Sequence, residues 1–216
     1  MNRMLAVLTI GAAVLAAGAA SAQDRERLAL GAQASTLGFG AELAFSVSPM
    51  ITLRGVGNYL SFDYSNTYSG IDYDLDVDLM SGGGFLDFHP LRNGFHVTVG
   101  ALYNGNEAGL DSTVAAGSTI GGFVLPVGTT LSGDLEFDEF APYLGVGYAD
   151  TFTRNSNWSF VVRAGVLYQG DPSVSFTESS GSVPQADLDA EARTLEDDLS
   201  FLEFYPVVSV GLSYRF

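Results

Sequence analysis

Cysteine is missing from this chain, and so is lysine. Without cysteine there are no disulfide staples, even in an oxidising compartment, and no thiol nucleophile. All nine basic residues are arginine, against 25 acids, and the formal net charge is −16. So acidic a chain repels phosphates, which excludes nucleic acid as a partner. Histidine is nearly as scarce, with only His89 and His96. After residue 22 no apolar run approaches the roughly 20 residues of a membrane-spanning helix. Yet mean hydropathy is positive, at +0.21. Positive hydropathy without a long apolar run points to alternating strands with one lipid-facing side.

The one long apolar run, Met4 to Ala20, follows Arg3 and closes on Ala20-Ser21-Ala22. A charged start, a short apolar stretch and a small-x-small ending make a signal peptide. Residues 1–22 are therefore expected to be cleaved, leaving 23–216 as one exported domain.

What the mature chain does have is period-two alternation between turns. "LGFGAELAFSV" sets Leu37, Phe39, Ala41, Leu43, Phe45 and Val47 against Gly38, Gly40, Glu42, Ala44 and Ser46. "IDYDLDVDLM" sets Ile71, Tyr73, Leu75, Val77 and Leu79 against Asp72, Asp74, Asp76 and Asp78. With apolar residues facing lipid, these four acids are expected inside. A bulge at Gly82-Gly83-Gly84 would then restore Leu86 and Phe88 to the outer face and Asp87 to the inner one. A second phase shift is expected near Pro142, and aromatic girdle positions at Trp158-Ser159-Phe160 and Pro142-Tyr143, near the periplasmic ends of their strands.

Connections fall into two sizes. Those at 48–50, 89–94 and about 150–156 are short; those at 64–70, 108–132 and 171–200 are longer and polar. This is the asymmetry of an outer-membrane barrel, short turns in the periplasm and long loops outside. Seven strands are visible from residue 37 onward. An even count requires an eighth at 25–34, turning near Ser35-Thr36. The expected fold is all-β, an eight-stranded antiparallel up-and-down transmembrane barrel. One short helix is expected in the last long loop, where Leu188, Ala192, Leu195 and Leu199 recur at helical spacing behind Pro184.

The chain ends "GLSYRF", with Val210, Leu212, Tyr214 and Phe216 on one face. Together with the signal peptide and the alternating segments, this ending resembles the small bacterial outer-membrane barrels of the OmpA-transmembrane, OmpX and OmpW type. The resemblance implies an outer-membrane location in a diderm bacterium. It also implies that these four residues form the signal read by the barrel-assembly machinery.

A barrel of eight strands has an interior that side chains fill, or that holds one small ligand. The inward charges expected there include Glu42, Arg54, Asp87, Arg163, Glu203 and Arg215, with Asp72 to Asp78, Glu136 and Asp138. Mixed charges in a narrow lumen suggest an ion-pair plug, because an unpaired buried charge is costly. The resulting expectation is a monomeric structural or surface-interaction protein, embedded in lipid beside lipopolysaccharide. The alternative is a narrow transport or small-ligand barrel. Enzymatic activity is not expected, since both histidines fall at a short periplasmic turn and no second acid–base pair accompanies them. No cofactor is expected. The aspartate run lacks the glycine-turned loop of a calcium site, and its alternate residues stand about 7 Å apart, too far to share one ion. The 171–200 segment carries Asp171, Glu178, Asp187, Asp189, Glu191, Glu196, Asp197 and Asp198, with Asp150 and Glu203 beyond its edges. Divalent cations are expected to bridge such acidic loops to lipopolysaccharide.

Overall fold

The computed structural model describes residues 27–68, 71–113, 119–120, 123–124, 128–153, 155–181 and 183–216. The expected signal peptide, residues 1–22, lies outside the described residues. Eight strands close on themselves: β1 (Leu28–Ser35), β2 (Gly38–Ser48), β3 (Ile51–Tyr68), β4 (Ile71–Phe88), β5 (Phe95–Asn104), β10 (Phe140–Ala149), β11 (Trp158–Tyr168) and β13 (Phe204–Arg215). Each pairs antiparallel with its neighbours, and β1 meets β13 from Ala29↔Arg215 to Ser35↔Ser209. Closure satisfies every strand edge within the membrane belt, which hydrocarbon demands. The eighth strand expected at 25–34 is β1, and its turn falls at Thr36-Leu37. Leu37, expected to face lipid, is instead buried, because it sits in that turn and folds into the core.

The outer face is the apolar one. Phe39, Leu53, Tyr59, Val99, Leu144, Trp158, Phe160 and Leu212 all point outward and are exposed. Short turns after β2, β4 and β10 mark the periplasmic end; the opposite end is external.

Three expectations are corrected at the external end. First, of the loop expected at 64–70, residues 64–68 are strand, and 69–70 lie outside the described residues. Strands β3 and β4 pair without interruption from Ile51↔Phe88 to Tyr68↔Ile71, forming a hairpin that outgrows the barrel. Second, the segments 108–132 and 171–200 hold strands as well as loops: β6 (Glu107–Thr113), β9 (Thr130–Glu136) and β12 (Ser173–Glu178), with a small β7–β8 pairing at Thr119–Ile120 and Phe123–Val124. Strands β6, β9 and β12 add in order to the projecting part of β4, giving a five-stranded external sheet. Third, Gly82-Gly83-Gly84 introduces no bulge, so β4 keeps one phase throughout. Leu86 and Phe88 are outward as expected, but Asp74, Asp76 and Asp78 are then outward too. They do not enter the lumen.

The physical reason is height. Above the membrane the outer face meets water, so its polarity reverses. Outward positions pass from Leu53 and Tyr59 to Ser61 and Asp63 on β3, and from Leu86 and Met80 to Asp78 and Asp76 on β4. Inward positions pass from Arg54 and Asn58 to Leu60 and Phe62. The shift expected near Pro142 is likewise a break between two strands, at 137–139. Pro142 and Tyr143 lie near the external end of β10, and Tyr143 points into the lumen, 7% exposed.

Helix α1 (Gln185–Leu199), followed by a 3-10 turn at Ser200–Glu203, matches the expected helix. Leu188 and Ala192 are buried, and Leu188 joins Val183 against Leu131 and Phe176. These belong to the apolar face of the external sheet, the one that continues the lumen lining. Glu196 Oε1 accepts the Val174 amide at 2.9 Å and fixes the helix to β12. Leu195 stays exposed and Leu199 only half-buried.

The opposite face of that sheet collects Asp63, Asp74, Asp76, Asp78, Glu107, Asp111, Asp134 and Glu136 by register. Direct cross-strand neighbours include Asp63↔Asp76, Asp74↔Asp111, Asp78↔Glu107 and Glu107↔Glu136. Like charges directly opposite are destabilising. Partial loss of hydration, then the hydrogen bond and charge of Asp63, with Asp111 and Asp74 beyond, raise the Asp76 carboxyl above its ordinary value. An acid whose folded pKa is raised contributes stability below its unfolded pKa and loses it as pH rises through the folded value. Lowering pH from 7 towards 4 should therefore slow amide exchange across 60–79 and 107–113, after correction for intrinsic rates. Asp63→Asn should give the slower exchange already at pH 7. Equal protection in that variant and the wild type would remove this repulsion from the account.

Candidate functional site: the lumen and its two ends

Four of the expected inward charges meet in the lumen. Glu42 on β2 and Arg163 on β11 lie 121 residues apart in sequence and pair bidentately, Nη1 to Oε2 at 2.8 Å and Nη2 to Oε1 at 3.2 Å. Arg54 on β3 donates to Asp87 on β4 through Nε at 3.0 Å and Nη2 at 3.1 Å. Arg54 Nη1 also stands 3.7 Å from Glu42 Oε2, which joins the pairs into one neutral quartet. All four residues are at most 6% exposed. Planar guanidinium forks suit such bidentate geometry, and arginine cannot shed its proton when buried.

Small neighbours make the room. A Cβ on Gly31 would stand 2.6 Å from Glu42 Cγ, and one on Gly147 would stand 2.7 Å from Arg163 Cγ and 2.6 Å from His96 Nε2. Thr98, not anticipated from sequence, donates its hydroxyl to Asp87 Oδ1 at 2.7 Å. A chain of neutral groups runs beside the quartet: Gln33 Nε2 to Asn58 Oδ1 at 2.9 Å, then Asn58 Nδ2 to Ser81 Oγ at 3.1 Å. For Asn58 and Ser81 the signal in the sequence is parity, since each shares the inward phase of Arg54 or Asp87 on its strand; Gln33 lies on a strand without charges.

On the external side of the quartet lies an apolar layer. Leu37, Val56, Phe85, Leu102, Ala141, Tyr143, Leu167 and Val207 form one cluster, with Leu102 2% and Leu167 0% exposed. Phe85 meets Tyr143 edge-on at 5.3 Å, and the Arg54 guanidinium lies 4.6 Å from the Phe85 ring centre. The cavity between layer and quartet measures about 30 Å³, room for one or two waters.

The other predicted residues are dispersed. Glu203 ends the 3-10 turn at the external mouth, where its carbonyl accepts the Gln169 amide at 3.0 Å. Arg215 stands at the periplasmic rim. Neither reaches the quartet. Glu136 and Asp138 are exposed outside the barrel. His89 and His96 occupy the periplasmic part of the lumen with ring centres 5.1 Å apart. His89 lines a cavity of about 710 Å³ that opens between the periplasmic turns. Among the described residues no cluster of histidines and acids converges as metal ligands would.

Three residues of the expected assembly signal, Val210, Leu212 and Tyr214, lie on the outer face of β13, and Phe216 follows its end. Val210 and Leu212 are exposed, and Tyr214 packs edge-on against both Trp158, at 5.0 Å, and Phe216, at 5.5 Å. The Phe216 amide donates to the Leu28 carbonyl at 3.2 Å, at the end of the seam between first and last strands.

No protein-family model and no curated protein matches the chain. Among solved structures the fold is similar to CarO of Acinetobacter baumannii, with a TM-score of 0.60 and 26% identity, covering 87% of this chain and 97% of that one. It is also similar to CarO2 of Acinetobacter baumannii, at TM-score 0.61 and 25% identity, covering 88% and 98%. A closed ring of eight antiparallel strands with an apolar outer belt, and these likenesses over almost the whole described chain, make the protein an integral outer-membrane β-barrel.

Proposed function

We propose that this barrel is a non-conducting, non-catalytic membrane scaffold that presents its acidic sheet outside the cell. The observation that carries this reading is the succession of ionic quartet and apolar layer across the lumen, with Leu102 and Leu167 sealed from solvent. Buried charges held in bidentate pairs are spent on one another, and releasing either to a solute would leave its partner unpaired. The proposed working form is a monomer, since closure leaves no strand edge in the membrane belt for a second copy to extend.

The acidic sheet face stands just above the lipid belt, where it would neighbour the phosphates of lipopolysaccharide. We propose that divalent cations screen the two against each other diffusely, without a chelating site.

Planar-bilayer recording tests the closed lumen. Wild-type protein should show no stable conductance steps. Phe85→Ala with Tyr143→Ala, which removes both rings of the apolar layer, should admit small ones. Stable steps from the wild type would replace this reading with that of a narrow conduit.

A further inference from the structure

We propose that the periplasmic mouth of the barrel is a binding site for small multivalent oxyanions, molecules bearing two or more carboxylate or phosphate groups. The mouth opens into the cavity of about 710 Å³, a volume within the range of small-ligand pockets. Arg27, Arg92 and Arg215 line it from three separate segments: the entry to β1, the β4–β5 turn and the end of β13. In a chain of net charge −16 this concentration of positive charge is a local inversion.

The three guanidinium groups make no side-chain hydrogen bond or ion pair among the described residues. Among the described residues no aspartate or glutamate side chain lines the cavity. The quartet above is neutral in itself, so it draws no charge from the mouth. Net positive charge in a concave, low-dielectric wall focuses potential and attracts anions. Guanidinium forks match the planar geometry of carboxylate and phosphate, and hydroxyl and amide groups such as Thr52 and Asn155 add neutral donors around them.

Arg92 supplies a second, independent observation. It is the one described non-glycine residue with positive φ, at 52°. That region favours glycine or asparagine, and a strained arginine serves the turn itself poorly. The residue held in this conformation lines the cavity, and such outliers accompany binding sites.

The test is calorimetric titration of the full-length mature protein, extracted in detergent at low salt, with citrate, pyrophosphate and acetate. Citrate or pyrophosphate should bind at least about tenfold tighter than acetate, the equivalent of one charge-assisted contact. Preference for citrate would identify carboxylates as the natural class, preference for pyrophosphate phosphates. Arg92→Gly relieves the strained turn and so should fold, which heat-modifiable gel migration verifies, yet it should weaken binding by about tenfold. Arg27→Gln should do the same, and Arg27→Lys should restore part of the loss. Acetate binding as tightly as both multivalent anions, or Arg92→Gly binding like the wild type, would overturn the site. Neither result depends on whether the lumen conducts.

Discussion

Replacing Arg163 with methionine should destabilise the barrel by about 3–5 kcal/mol, the cost of breaking a buried pair from one side. Glu42 would lose both short bonds, at 2.8 and 3.2 Å, and keep only the Arg54 contact at 3.7 Å. Water cannot replace the lost partner readily, because the Glu42 side chain is 4% exposed and Gly31 seals its flank. The charge would remain, unpaired, in a narrow lumen. Adding Glu42→Gln to Arg163→Met should recover much of the loss, since removing both charges also removes the desolvation cost. Urea unfolding of the refolded protein, followed by gel migration and tryptophan fluorescence, measures both variants. A loss below about 0.5 kcal/mol for the single variant would mean that the pair contributes little. Arg54→Met should behave similarly, because Asp87 would then retain only Thr98.

Deleting Phe216 should remove the greater part of the folded, heat-modifiable species from outer-membrane fractions, while refolding of the purified chain into detergent should persist. The distinction follows from geometry. Phe216 contributes one backbone bond at the end of the β1–β13 seam and one ring contact with Tyr214, and its side chain is 45% exposed. Such a loss is small against a seam of seven paired residues. A defect confined to cells would therefore place the role of Phe216 in recognition during insertion. An equal defect in detergent would assign it to barrel closure. Full assembly without Phe216 would remove it from the expected signal, leaving Val210, Leu212 and Tyr214.

Most of the barrel was legible because its determinant is local. A strand with one face in lipid must alternate, and the chain from 37 to 47, 95 to 103 and 158 to 168 does so without interruption. Helix α1 was legible for the same reason: its apolar positions recur at a local period. Of the six charges expected to form the lumen network, Glu42, Arg54, Asp87 and Arg163 meet, while Glu203 and Arg215 end at opposite mouths. Parity put all six on the inner face, but parity carries no information about height along the barrel axis. Glu42 and Arg163 find each other across 121 residues through the registers of β2 and β11 within the closed ring.

The sequence by itself determined that the chain is a barrel, how many strands close it, and which residues alternate on each. Tertiary structure decided where the membrane ends. "IDYDLDVDLM" alternates as cleanly as any lipid-facing strand, yet Asp74, Asp76 and Asp78 point outward and its leucines and valine inward. Alternation is a property of the backbone and runs through the interface unbroken; polarity is set by what lies beside each face at a given height. Inside the bilayer, paired polar side chains fill the lumen and oil lies outside. Above it, water is outside and the apolar face turns towards the barrel axis, where α1 and its own sheet cover part of it. That exchange depends on strand register and strand length together, and no stretch of ten residues contains it.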